Sequence, residues 1–346
     1  MPLGRRELFR FGAIGSLFGA VGALTYPATR LLGSRADPPM PGDEPPSLFP
    51  IDCDGAAPSA TAAPYAARFQ PAPYLRLGAR DSLHSPPPAR TNAGVGPVDV
   101  EVDLPIIETT LEVANGRNVR VWAYGGTVPG PIIRATLGDR VRVNLNNHSS
   151  TAHSIHFHGA HHVVQDGLGR VDPGERRTYQ FTAGPVGFHP YHCHIPPYSR
   201  HVGKGMYGGL IVDPVGNRPT AHEYVLCLCG FDVDGKGRND TYAWNGVAGY
   251  YDRFPLKVPA GELVRIYLMN MVENDSFASF HLHAHTFDVY RSGTSLTPHE
   301  HTDIVSLGPA ERAILEFRLP DRGRYMFHPH QSHMAERGAM GWIVAV

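Results

Sequence analysis

Residues 192–206 read HCHIPPYSRHVGKGM, and the earlier residues 153–159 read HSIHFHG. The first segment places Cys193 between two histidines, with His201 and Met206 downstream. A thiolate, imidazoles and a thioether form the ligand set of a blue-copper electron-transfer centre, in which methionine is the weak axial ligand. Successive side chains alternate faces on an extended strand, so the histidines beside Cys193 point away from that centre. They are free to hold a second metal site.

The second half of the chain repeats these histidine pairs. It contains His281-Leu282-His283 and His328-Pro329-His330, at offsets of 125 residues from His156 and 136 residues from His192. The flanking sequences also correspond, since GDRVRV at 138–143 matches GELVRI at 261–266. A repeat of this length predicts two copies of one domain.

The two copies differ at two ligand positions. Ala278 occupies the position equivalent to His153, and Pro329 occupies the position equivalent to Cys193. Without a thiolate the second copy cannot form a blue-copper centre. The sequence therefore predicts one such centre, in the first copy, and eight further histidine ligands divided equally between the copies.

From about residue 98 onward, the chain resembles the two-domain, laccase-like multicopper oxidases that carry type 1 copper in the first domain only. Twelve ligand positions occur in the family's order. The matching residues are His153, Cys193, His201 and Met206 for type 1 copper, His156 and His281 for type 2 copper, and His158, His192, His194, His283, His328 and His330 for the type 3 pair. The resemblance implies a copper-dependent oxidoreductase with four coppers per chain. It would take single electrons from a reductant and reduce O2 to water.

Oxygen reduction consumes protons, and the resemblance implies an acid that supplies them. Asp166, in an Asp-Gly pair shortly after His158, matches the family's carboxylate beside the trinuclear centre. A second donor is expected on the other side, and the sequence leaves the choice between Glu336 and His333 open. Met206 should lower the type 1 potential relative to an apolar residue. Easily oxidised donors are therefore expected, although the sequence does not identify the electron donor.

The expected fold is all-β, with two tandem cupredoxin-like Greek-key sandwiches at residues 98–215 and 216–346. Short runs rich in Val, Ile and Leu lie between Gly and Pro breaks, for example at 140–145, 208–212 and 263–268. No long segment has helical periodicity. The net charge of -1 argues against a nucleic-acid partner.

The amino-terminal third of the chain has a different composition. Residues 1–33 resemble a twin-arginine signal, with Arg5-Arg6 ahead of an apolar stretch at 11–24 that is short for a membrane span. Export to the periplasm or another extracytoplasmic compartment is expected, and cleavage or retention as an anchor stays open. Residues 34–97 contain 14 of the 32 prolines and are expected to form a linker or an extended arm.

Three cysteines remain besides Cys193. Cys227 and Cys229 should share one face of a strand, which disfavours a disulfide between them. An exported protein could pair one of them with Cys53. Buried free thiols and a separate metal site at 227–229 are the other interpretations.

The division of the histidines has a consequence for assembly. If each domain carries half of the cluster, the halves must face each other. The resemblance implies that this happens between neighbouring chains in a homotrimer, with a trinuclear cluster at each subunit interface. Such head-to-tail interfaces close into rings.

Two alternative functions are weighed against this interpretation. Copper-containing nitrite reductases share the two domains and the trimer, but they carry one type 2 copper at the interface and lack the histidine directly after the cysteine. His194 is present here, which favours the oxidase. A copper-binding protein without turnover would favour repeated Met or Cys ligands, and the chain has only 8 methionines.

Overall fold

The computed structural model describes residues 84–90 and 96–346, except 162, 164, 165, 167, 168 and 217. The predicted signal segment, most of the proline-rich segment and Cys53 lie outside the described residues. The described residues belong to one compact unit. In the described part of the chain, no helix is long and apolar enough to cross a membrane.

The first half of the described chain forms two four-stranded sheets. Its strands are β1 (Asp99–Ala114), β2 (Arg117–Tyr124), β3 (Ile133–Thr136), β4 (Arg140–Asn147), β5 (His156–Phe157), β6 (Arg176–Thr182), β7 (Gly187–His192) and β8 (Tyr207–Asp213). One sheet has the order β2-β1-β4-β6 and the other β3-β8-β7-β5. The pairs β1–β4 and β3–β8 are parallel and the others antiparallel, so the chain crosses between the sheets.

The second half forms a six-stranded and a five-stranded sheet. Its strands are β9 (His222–Phe231), β10 (Thr241–Trp244), β11 (Leu256–Val258), β12 (Leu263–Asn270), β13 (Ala278–Leu282), β14 (Phe287–Arg291), β15 (Glu300–Thr302), β16 (Ile304–Leu307), β17 (Arg312–Arg318), β18 (Gly323–His328) and β19 (Gly341–Ala345). The sheet orders are β10-β9-β12-β17-β14-β15 and β11-β19-β18-β13-β16.

Helices within the described ranges are short. They are α1 (Tyr198–Gly203), α2 (Tyr250–Arg253) and α3 (Ser332–Glu336). The prediction of an all-β fold in two tandem sandwiches is confirmed. Strands were also expected at residues 140–145, 208–212 and 263–268, and these segments lie in β4, β8 and β12.

Each sandwich has its own apolar core. In β4, buried and more exposed positions alternate, so Val141, Val143 and Leu145 point into the first core. Strand β9 differs, because its last seven residues are all buried. One face of β9 packs in the core of the second sandwich, and the other face lies in a third apolar cluster that joins the two sandwiches. This joint places Phe188 of β7 edge-on against Tyr267 of β12, with ring centroids 5.6 Å apart.

A close backbone contact also joins the two sandwiches. A Cβ atom at Gly187 would lie 2.5 Å from the Ser292 carbonyl oxygen, and Gly187 has a φ of +142°, so a larger residue would be excluded. The neighbouring Phe188 N–H donates to the same carbonyl at 2.9 Å. These contacts hold β7, which ends at His192, against the second sandwich.

Candidate metal centres

Strand ends and loops of the first sandwich bring Cys193, His153 and His201 together. The Cys193 sulfur lies 3.2 Å from His201 Nδ1 and 3.8 Å from His153 Nδ1, and the two Nδ1 atoms are 3.1 Å apart. All three side chains are buried. Three ligand atoms converge on one point, which is the arrangement that a single metal ion requires.

Met206 lies in the same buried apolar cluster as Cys193. Its carbonyl oxygen accepts a hydrogen bond from the Cys193 N–H at 3.0 Å, and its own N–H donates to the His201 carbonyl at 3.2 Å. Helix α1 and the turn after it therefore carry two predicted ligands, His201 and Met206, back to the strand end where Cys193 lies.

The electrostatics of this centre suit a metal. Burial and the nearby His201 lower the pKa of His153 to about 3, and burial and Arg200 lower that of His201 to about 4. Both imidazoles are therefore neutral at neutral pH and keep a lone pair for a metal. Burial raises the pKa of the Cys193 thiol, so metal binding would displace its proton. A thiol and two neutral imidazoles in this arrangement fit copper.

A second group of histidines lies beside Cys193. Strand β5 pairs with β7 so that His156 is opposite His192. The Nε2 atoms of His158 and His192 are 2.9 Å apart, and the ring centroid of His156 is 5.2 to 5.4 Å from those of His158, His192 and His194. Cys193 is fully buried while its two histidine neighbours are partly exposed, as expected for alternating faces. The structure thus brings all four predicted cluster histidines of the first domain together.

Burial also keeps His158 and His192 neutral. It lowers the pKa of His158 to about 3, with a further contribution from the charge of His192. It lowers the pKa of His192 to about 4. Two neutral nitrogens that approach to 2.9 Å are well placed to share a bound cation.

Asp166 contacts this group as the sequence predicted. Its Oδ1 accepts a hydrogen bond from His156 Nδ1 at 2.6 Å, which leaves His156 Nε2 for a metal. His161 Nε2 lies 3.6 Å from the same oxygen. The structure thus places His161 beside the predicted proton-relay carboxylate.

The second sandwich contains a matching group. Strands β13 and β18 pair so that His281 is opposite His328, and the Nε2 atoms of His283 and His328 are 2.9 Å apart. The ring centroid of His281 lies 5.5 Å from that of His330. Burial lowers the pKa of His283 and of His328. The four predicted histidines of the second domain therefore form a group of their own.

In each of the two groups a serine hydroxyl accepts a hydrogen bond from the backbone N–H of the last histidine. The His194 N–H donates to the Ser154 hydroxyl at 3.0 Å, and the His330 N–H donates to the Ser279 hydroxyl at 2.8 Å. The Cys193 position is Pro329 in the second group, so only the first group is connected to a thiol.

The two groups do not meet within one chain. Ten described ring contacts join histidines of the same group, and no described ring contact joins a histidine of one group to a histidine of the other. His283 and His330 are exposed, although both are predicted ligands. Each group thus presents an open half-site.

A carboxylate that the sequence did not indicate lies beside the second histidine group. His333 Nε2 lies 3.4 Å from Asp275 Oδ1, and its ring packs on Tyr242. Asp303 is the carboxylate beside that group, with Oδ2 at 3.6 Å from His281 Nδ1 and its carbonyl oxygen at 2.9 Å. Sequence reasoning missed Asp303 because it reaches His281 only through the pairing of β13 with β16.

The two remaining described cysteines are buried. Cys227 and Cys229 are fully buried in the apolar cluster between the sandwiches, and their sulfurs are 3.8 Å apart. They share a face of β9 and form no disulfide with each other. Cys53, their other candidate partner, lies outside the described residues.

Comparisons with known proteins agree with this geometry. Family models described as multicopper oxidase match residues 106–216 and 231–346. A copper-containing nitrite reductase of Neisseria meningitidis serogroup A is 31% identical over 272 residues, covering 71% of this chain and 69% of that protein.

Solved structures show the same two relationships. A crystal structure of a multicopper oxidase is 41% identical, with a TM-score of 0.70, and the match covers 72% of this chain and 89% of that one. A copper nitrite reductase from Nitrosomonas europaea is 34% identical, with a TM-score of 0.65, and the match covers 72% and 94% of the two chains.

Proposed function

Because this chain belongs to the multicopper oxidase family, we propose that it is a laccase-like oxidase that couples one-electron oxidation of a reductant to four-electron reduction of O2 to water. Copper at the buried Cys193 centre would supply the one-electron chemistry, and three coppers held by the two histidine groups would supply O2 reduction. The coarser conclusion, a copper oxidoreductase, follows from the family itself.

The observation that carries the proposal is the completeness of the two histidine groups. Each group contains four imidazoles, a pair of Nε2 atoms 2.9 Å apart and a serine that fixes its last histidine. A single interface copper would need three of these eight ligands. The remaining histidines, His194 among them, are explained by a cluster of three metals.

The covalent chain connects the two kinds of site. Cys193 lies in the buried centre, and its neighbours His192 and His194 lie in the partly exposed group. The hydrogen bond from His192 Nδ1 to the Cys193 carbonyl, at 2.8 Å, adds a second connection between ring and backbone. Electrons that enter at Cys193 would reach the histidine group within one residue.

Asp166 is proposed to hold and deliver protons at this group. Its carboxylate accepts from His156 and lies within reach of His161. Water formation needs four protons for each O2, and an acid next to the group can pass them from the surface.

We further propose that the half-sites of neighbouring chains face each other in a homotrimer. The exposure of His283 and His330, and the separation of the two groups within one chain, support this arrangement. Export through the amino-terminal signal is also part of the proposal, and it rests on the sequence of residues 1–33 alone.

Nitrite reduction is the second candidate, and the similarity to the Neisseria and Nitrosomonas nitrite reductases favours it. The two functions differ in the number of metals at the interface. Copper content per chain and the absorption spectrum of the oxidised protein are therefore the first test. Four coppers with a blue thiolate band and a near-ultraviolet shoulder support the oxidase. Two coppers without the shoulder support nitrite reductase chemistry.

Turnover measurements then distinguish between O2 and nitrite as the electron acceptor. We expect O2 uptake with a reductant in air, and no nitric oxide from nitrite under argon. The variant His194→Ala should keep the blue band and lose O2 uptake. Cys193→Ser is the matched control, because it should lose the blue band. Nitrite reduction that survives in His194→Ala would contradict the oxidase proposal.

A further inference from the structure

A surface cavity lies beside the Cys193 centre. Its volume is about 190 Å³. Its lining consists of Glu108, Arg120, Val121, Trp122, Arg200 and Lys204. These residues come from β1, β2 and helix α1 with the turn after it.

Trp122 connects the cavity to the metal ligands. Its ring centroid lies 4.9 Å from that of His201 and 5.2 Å from that of His153. Trp122 is 4% exposed and belongs to the lining of the cavity, so this one residue connects the cavity to both imidazoles. A molecule in the cavity would be separated from two type 1 ligands by one aromatic ring.

The cavity is positively charged. The Arg200 guanidinium carbon lies 5.2 Å from the centroid of the Trp122 ring, and the Lys204 ammonium nitrogen lies 5.6 Å from it. Lys204 Nζ also donates to the Arg120 carbonyl at 3.1 Å, which fixes it at the rim. Glu108 is the one carboxylate of the lining, and it is already paired with Arg120 at 2.6 Å and bonded by the Ser150 hydroxyl at 2.7 Å.

We propose that this cavity is the donor site and that it takes small aromatic anions, such as single-ring phenols carrying a sulfonate or carboxylate. The inference rests on the proposed function, since it assumes that electrons enter at the type 1 centre. Three cations against one carboxylate give the lining an excess positive charge, in a chain whose net charge is -1. The cavity is smaller than the roughly 300–1,000 Å³ of typical drug-sized pockets, so it suits one ring.

The reaction at this site is balanced as follows. A phenolic donor loses one electron to the type 1 centre through the Trp122 contact and one proton to solvent, and it leaves as a phenoxyl-type radical. Four such oxidations supply the four electrons that convert one O2, with four protons, into two waters. Trp122 provides the contact and is not itself consumed.

The charge preference is tested with a pair of donors, hydroquinone and hydroquinonesulfonate. Bleaching of the blue band of the oxidised holoenzyme is followed under argon by stopped flow, so the acceptor plays no part. We expect Arg200→Gln and Lys204→Gln each to lower the sulfonate-to-neutral rate ratio about threefold, the size of one exposed charge interaction. Glu108→Gln should raise the same ratio. Arg200 adjoins His201, so its replacement could change the reduction potential of the type 1 centre. That change would affect both donors, and it cancels in the ratio of their rates.

Arg324→Gln is the matched control. Arg324 stacks on Trp342 at 4.5 Å, so the variant removes the same kind of cation from an indole outside the cavity. Its rate ratio should equal that of the wild type.

Binding is measured separately by calorimetry with benzenesulfonate, which is not oxidised. Wild type should bind it, and Lys204→Gln should bind it more weakly. Trp122→Phe should still bind it and should slow bleaching by both donors. Equal ratios in all variants together with no benzenesulfonate binding would overturn the cavity assignment. Failure of every donor to bleach the band would instead contradict the proposed function.

Discussion

The backbone N–H of Ser154 points at the sulfur of Cys193 and donates to it at 3.4 Å. The same serine accepts the His194 N–H through its hydroxyl. Ser154 therefore contacts both the buried thiol and the partly exposed histidine group. In the second sandwich Ser279 holds His330 in the same way, with no thiol present.

Replacing Ser154 or Ser279 by alanine removes these hydroxyls. The two variants should separate the contact with the histidine group from the contact with the thiol. Ser154→Ala leaves the His194 N–H without its acceptor, and we expect a loss of about 1–3 kcal/mol in the free energy of unfolding. The backbone donor to sulfur remains, so the blue band should persist. Its position should shift, because Cys193 and His194 are adjacent. Chemical denaturation and the visible spectrum measure the two effects.

Ser279→Ala is the matched control. It removes the equivalent acceptor and should cost a similar free energy, while the blue band keeps its position because no thiolate is nearby. A shift of the band in Ser279→Ala, or none in Ser154→Ala, would contradict this assignment.

The ligand positions could be predicted from the sequence because His-x-His on a strand fixes a spacing and a face locally. The roles of the serine acceptors, of Asp303 and of Trp122 could not be predicted from the sequence. Each reaches its histidine through pairing or packing between distant segments, such as β13 with β16, and a single sequence does not contain that register. The two tandem sandwiches could be predicted because the histidine pairs and their flanking segments occur twice in the sequence, and because short apolar runs mark the strands.

Asp166 should affect turnover and leave the blue centre intact. Asp166→Asn keeps the shape of the side chain and removes the charge that His156 Nδ1 contacts at 2.6 Å. Losing such a contact beside a metal ligand typically costs about 10–100-fold in affinity or activity. We expect O2 uptake to fall within that range, with an unchanged blue band.

Asp172→Asn serves as the control for that experiment. Asp172 is an acid that pairs with Arg170 on the surface, and its replacement should leave O2 uptake unchanged. Full uptake in Asp166→Asn would remove Asp166 from the proposed proton path.

A buried ion network joins the two sandwiches through Glu223. Its carboxylate lies 2.6 Å from Arg134 of β3 and 2.9 Å from Arg265 of β12, and these guanidiniums are 5% and 2% exposed. Glu223→Gln should cost about 3 kcal/mol, the lower end for breaking a buried pair. In this variant Arg134 still pairs with Asp213, and Arg265 still pairs with Glu316. Sequence patterns did not reveal this network, because its members come from strands that are remote in sequence.

The pH dependence of that loss follows from the pKa of Glu223. Burial is the largest single effect and opposes ionisation. The hydrogen bonds and charge of Arg134, together with hydrogen bonds from Arg265 and Tyr267, outweigh burial and hold the pKa of Glu223 below the ordinary value of 4.5. A depressed pKa stabilises the fold fully above 4.5, and this stabilisation is lost as the pH falls below 4.5. The difference between wild type and Glu223→Gln should therefore shrink below pH 4.5 in denaturation experiments. A difference that stays constant would show that the effect is not ionic. Asp99→Asn, in an exposed pair with Arg140, should change nothing measurable.

The division of the cluster between chains can be tested by mixing two inactive variants. His158→Ala disables the first-domain half-site, and His283→Ala disables the second-domain half-site. Each should form blue trimers that do not reduce O2. In a cyclic trimer containing both variants, one interface pairs the intact first domain of a His283→Ala chain with the intact second domain of a His158→Ala chain.

Mixed trimers are isolated by co-expression with two different affinity tags and purification over both. Either mixed composition leaves one intact interface, so O2 uptake should return to about one third of the wild-type rate. The two pure variants, mixed without exchange of subunits, are the control and should stay inactive. A cluster formed within one chain would never be restored, because every chain in the mixture lacks one of its ligands.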